Sequence, residues 1–70
     1  MNNTVINDLF QRCIDLYSKR QKKSIADTEY VFNKYQLRTY MEQNLESMLH
    51  MMDDQLYEEI DWFIEDCQSV

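Results

Sequence analysis

Cys13, His50 and Cys67 are the side chains of this sequence best suited to ligate a metal or act as a nucleophile, and each stands alone. Metal sites and nucleophile–base pairs draw on Cys, His and carboxylates gathered at short spacing. No C-x-x-C, H-x-x-x-H or H-E-x-x-H occurs. His50 falls opposite the apolar stripe of its predicted helix, the place of a solvated histidine and not of a ligand or general base. Carboxylates are plentiful near the C-terminus, but on a convex helical surface, whereas acid–base catalysis needs a cleft that shifts their pKa values. The chain is therefore read as a non-enzyme, with no catalytic, cofactor-binding or metal-binding residue assigned. A Cys13–Cys67 disulfide requires the first and last helices to be adjacent, and nothing in the sequence demands it.

Those carboxylates carry the strongest signal. Residues 1–38 hold all seven bases and four acids, a net +3, while residues 39–70 hold nine acids and no lysine or arginine, a net -9. Asp54, Glu58, Asp61 and Glu65 recur at helical spacing and form one ridge. Like charges one turn apart destabilise an isolated helix by a few tenths of a kcal/mol per pair. Three readings compete: a solvated face that keeps the chain soluble, a docking face for a basic partner, and a mimic of a nucleic-acid backbone. Trp62 lies off the core face of the same helix, between that ridge and Glu59 and Asp66. A half-exposed indole among carboxylates is expected there, and tryptophan is enriched at binding hot spots. The competing role for Trp62 is an edge contact with the first helix. Asp54, Glu58, Asp61, Trp62 and Glu65 are the candidate protein-binding residues.

Lys19, Arg20, Lys22 and Lys23 form a basic cluster, which a helix C-terminus attracts through its dipole without any phosphate partner. Direct nucleic-acid binding is disfavoured, because the net charge is -6 and no exposed helix face gathers Arg, Lys, Asn and Gln. The cluster has a second possible use: meeting the acidic helix of another copy and so orienting a homodimer.

These residues must be positioned by helices. The chain has 70 residues, 44% of them apolar, and contains no Gly and no Pro, which leaves β-rich and glycine-loop folds poorly supported. From Thr4 to Gln21, Val5, Ile6, Leu9, Phe10, Cys13, Ile14, Leu16 and Tyr17 form one broad stripe, with Asn3 or Thr4 as N-cap. A second helix is expected over about 27–51, starting from a Ser24-x-x-Asp27 box. Its stripe is Tyr30, Leu37, Met41, Leu45, Met48 and Met52. The phase of that stripe slips between Tyr30 and Leu37, and Thr39-x-x-Glu42 is a further capping box, so a kink or break is expected near Thr39. A third helix follows caps at Asp53 or Asp54, with Leu56, Ile60, Phe63, Ile64 and Cys67 facing inward. The 3–4 spacing also runs unbroken through that junction, so one long bent helix is the alternative. The expected core is Leu9, Phe10, Cys13, Tyr17, Leu37, Met41, Leu45, Met48, Leu56, Ile60 and Phe63.

Nine aromatics are many for this length, and Phe32, Tyr35 and Tyr40 project in directions that one three-helix core does not satisfy together. With Met51, which points away from the Met41–Met48 stripe, they are the expected dimer interface. The fold class is thus all-α: one domain over residues 1–70, a bundle of three helices, homodimeric because small cores need extra burial. No apolar stretch approaches the ~18 residues of a membrane span. The opening MNNTVINDL lacks a basic segment followed by an apolar one, so a reducing cytoplasm with free thiols is expected.

Together these readings describe a small acidic binding module, an adaptor, regulator or inhibitor. It would dock its last helix on a basic surface of a larger protein, nucleic-acid-handling machinery included, and need no cofactor and no membrane. The alternatives are a self-assembling structural subunit and a nucleic-acid mimic.

Overall fold

The computed structural model describes residues 3–69, which are helical throughout apart from short connectors. Five helices follow in order: α1 Asn3–Gln21, α2 Ile25–Lys34, α3 Leu37–Gln43, α4 Leu45–Leu49 and α5 Asp53–Gln68. The expectation of three helices is corrected, since the segment expected as one helix over 27–51 is three. Asn3 and Thr4, expected as N-cap, lie within α1, and the residues before them are outside the described ones.

Each boundary has a local cause. α1 ends where Lys22 adopts a left-handed φ of 56° and the Lys23 amide donates to the Ser18 carbonyl at 3.0 Å. This is a Schellman-type closure, made here without glycine. Ser24 caps α2 as expected, its hydroxyl accepting from the Asp27 amide at 3.0 Å. The break falls earlier than Thr39. The chain turns at Tyr35 and Gln36, with Gln36 left-handed at φ 57°, and α3 restarts in a new direction. The Thr39-x-x-Glu42 box is not used, because Thr39 lies inside α3, where its amide donates to the Gln36 carbonyl. α5 is capped by Met52 and not by Asp53 or Asp54, which occupy its first turn, where the helix dipole favours negative charge.

The turn at residues 35–36 also takes Phe32 out of the expected dimer interface. It redirects the chain so that Phe32 enters the protein's own core, fully buried, with its ring edge-on to Phe10 at 5.8 Å and tilted against Tyr17 at 5.5 Å. Tyr35, Tyr40 and Met51 pack half-buried against that core. Phe32 therefore has no surface left to offer a second copy. Of the expected core, Leu9, Cys13, Tyr17, Leu37, Met41, Met48, Leu56 and Ile60 are buried, while Phe10, Leu45 and Phe63 are partly so. Ile6, Ile14, Phe32 and Ile64 join them, and Tyr30, expected on the inward stripe, is 67% exposed.

Both cysteines are free, Cys13 buried and Cys67 partly accessible. Burial pushes the Cys13 thiol up to about 12, against a small opposing effect of Arg12. The thiolate is the reactive form. An alkylating reagent at neutral pH is therefore expected to modify Cys67 in the folded protein and Cys13 only as fast as the chain unfolds. Mass spectrometry of the labelled peptides reads the difference directly.

Candidate protein-docking face

The outer face of α5 is the candidate site. Leu56, Ile60 and Ile64 anchor the helix inward at every fourth position. Trp62 stands about 200° round the helix from Ile60, on the opposite crest. Trp62 is 56% exposed. The residues three and four positions away, Glu58, Glu59, Glu65 and Asp66, are all acidic, and on a helix these are its nearest surface neighbours.

The fold divides the acids of α5 into two sets. At the N-terminal end, Arg12 reaches from α1 to Asp53 at 2.7 Å and to the Met51 carbonyl at 3.1 Å, and Arg20 pairs with Asp54. Asp54 is thus engaged by its own chain and stands apart from the other four candidate residues. Beyond the first turn no such neutralisation occurs. Among the described residues no lysine or arginine pairs with Glu58, Asp61, Glu65 or Asp66. Glu58, Trp62 and Glu65 are exposed, and Asp61 is partly buried. The fields of Asp61 and Glu65 reach Tyr17, whose hydroxyl is raised first by burial and then by these carboxylates.

Glu59 forms the inner rim. It accepts a hydrogen bond from the Tyr40 hydroxyl, and the Tyr40 ring lies over Phe63 with centroids 4.4 Å apart. On the opposite edge the Gln21 amide donates to the Tyr57 hydroxyl, and Arg20 stacks over the Tyr57 ring at 5.1 Å. Sequence reading missed both contacts, because they join residues far apart in the chain. The helix carrying Trp62 is in this way clamped along both edges, so the exposed indole projects from a rigid element.

The Tyr40 clamp is sensitive to alkali. Burial, followed by the hydrogen bond to Glu59 and its charge, raises the Tyr40 hydroxyl from 10.0 to about 12. A group whose folded pKa lies above its unfolded value contributes stability that is complete below the unfolded pKa and is lost as pH rises through the folded one. Unfolding free energy is therefore expected to fall between about pH 10 and 12, where a phenolate would face a carboxylate. Tyr40→Phe keeps the ring contact and removes part of that fall, a difference that urea titrations along the pH series measure.

Among the described residues no three His, Cys, Asp or Glu side chains converge as a metal site, and no helix is long and apolar enough to cross a membrane. A shallow, open depression runs along α1 between Asp8, Arg12, Asp15, Lys19 and Asp53, away from Trp62. His50 is exposed. Compared with known protein families, curated proteins and solved structures, the chain matches none of them.

Proposed function

We propose that this protein is a non-enzymatic binding module that docks the outer face of α5 on a basic surface of a larger protein and acts as its adaptor, regulator or inhibitor. One observation carries the reading: Trp62 is 56% exposed on the crest of a packed helix, and every surface neighbour one turn away is acidic. A large exposed indole on a well-fixed helix loses little conformational freedom on binding, which suits an anchor. Unpaired carboxylates around it favour a partner rich in Lys and Arg, both by steering its approach and by placing a cation over the aromatic face.

The test is a pull-down with the wild-type protein beside a Trp62→Ala, Glu58→Lys, Asp61→Lys variant. Proteins retained by the wild type at low salt, released by raised salt and absent from the variant support the proposal. Equal recovery of the same partners on both baits removes α5 as the working surface.

A further inference from the structure

A second feature lies at the bend between α4 and α5. In a continuous helix, Met41, Leu45, Met48, Leu49, Met52, Leu56, Ile60 and Phe63 would fall within one apolar stripe, since their spacings remain three and four across the junction. The chain nevertheless leaves the helix at His50 and re-enters it at Asp53. The connector has neither Gly nor Pro. Ahead of it Asn44, at φ -125° and ψ 25°, separates α3 from α4, yet helical bonds span the junction: the Asn44 amide donates to Tyr40 at 3.1 Å and the Met48 amide to Asn44 at 3.0 Å, both four residues apart.

The bend leaves apolar surface in water. Met52 is 76% exposed and Leu49 43%, although Met48, Leu56 and Ile60 beside them on the stripe are buried. The side-chain hydrogen bonds and ion pairs seen among the described residues between α5 and the other elements go to α1 or to Tyr40 of α3: Arg12–Asp53, Arg20–Asp54, Gln21–Tyr57 and Tyr40–Glu59. α5 is thus held by distant elements, and its link to α4 is a hinge.

We propose that two copies of this chain exchange α5, the segment from His50 to Met52 straightening so that α4 and α5 become one continuous helix. Each α5 then rebuilds the same four polar contacts on the α1 and α3 of the other copy, and the exchange gives up at the hinge the Arg12 bond to the Met51 carbonyl, which the helix itself takes up. It adds helical hydrogen bonds across the hinge and places Met52 and Leu49 of the two copies together at the two-fold axis. Domain swapping of this kind is a low-cost route to a dimer where the hinge is short and its sequence suits both states. The outer face of α5, with Glu58 and Trp62, stays outward, so this proposal stands apart from the binding reading.

The experiment measures the mass of the 70-residue chain by light scattering over a range of concentrations, after refolding at high concentration to let the hinge open. Met52→Pro and His50→Ala act in opposite senses. Met52 has φ -72° and ψ 164°, angles that proline adopts, but proline inside a straight helix removes a hydrogen bond and clashes with the preceding turn. His50→Ala leaves the apolar patch untouched and raises helix propensity at the hinge in both copies. The wild type is expected to show a dimer that grows with concentration, Met52→Pro a helical monomer, and His50→Ala a dimer fraction severalfold higher at equal concentration. A wild type that stays monomeric throughout overturns the proposal, as does a dimer unaffected by Met52→Pro. A dimer lost with Met52→Pro but unchanged by His50→Ala also overturns it, because it points to simple docking of the Met52 patch.

Discussion

Phe32→Ala is expected to leave the protein largely unfolded at room temperature, whereas Tyr30→Ala, two residues away, leaves it folded. Phe32 is fully buried, and its ring is shared between Phe10 and Tyr17 on α1. Truncating such a phenylalanine costs about 3–5 kcal/mol, from lost transfer free energy and from the cavity left behind. A core of this size rarely supplies more than about 3–5 kcal/mol of net stability, so the loss is comparable with the whole. Tyr30 is 67% exposed, and substitutions at such positions usually stay within about 0.5 kcal/mol. Far-UV circular dichroism and urea titration of the two variants make the comparison. A Phe32→Ala protein with a near-wild-type urea midpoint would contradict this account of the core, and would return Phe32 to the surface role its position in the sequence had suggested.

That contrast shows what could be read from the sequence. The stripe of α1 was legible because Leu9, Cys13 and Tyr17 lie on one period with charges opposite, and local patterning alone decides such a helix. The stripe of α5 was legible for the same reason. The middle of the chain was not. Its phase slip between Tyr30 and Leu37 announced a break, but Gln36 takes the left-handed conformation without being glycine, so no residue type marked where the chain would turn. The burial of Phe32 before the turn and of Leu37 and Met41 after it offsets that conformation. The site divides in the same way. The exposure of Trp62 follows from its place opposite Leu56, Ile60 and Ile64 on one helix. The loss of Asp54 from the free ridge depends on Arg20, thirty-four residues earlier in the chain, and periodicity carries no such information.

Trp62→Ala combined with Glu58→Lys and Asp61→Lys is expected to abolish partner binding while leaving the fold intact, and the two effects are separable because of where these side chains lie. Glu58 and Trp62 are exposed, and among the described residues neither side chain makes a hydrogen bond or ion pair, so their replacement removes little that stabilises the chain. Asp61 is partly buried, and lysine there relieves like-charge crowding along the helix. Thermal stability should therefore stay close to that of the wild type. Binding should not. Truncating a tryptophan at a hot spot costs about 2 kcal/mol or more, roughly thirtyfold in affinity. The two charge reversals add repulsion toward a basic surface and mainly slow association. Measured singly, Trp62→Ala should raise the dissociation rate and leave the salt dependence in place, while Glu58→Lys should flatten the salt dependence. Trp62 is the only tryptophan, so its fluorescence reports this one surface without a label. A binding partner that leaves that emission unshifted, and whose affinity does not change with salt, would be using another face of the molecule.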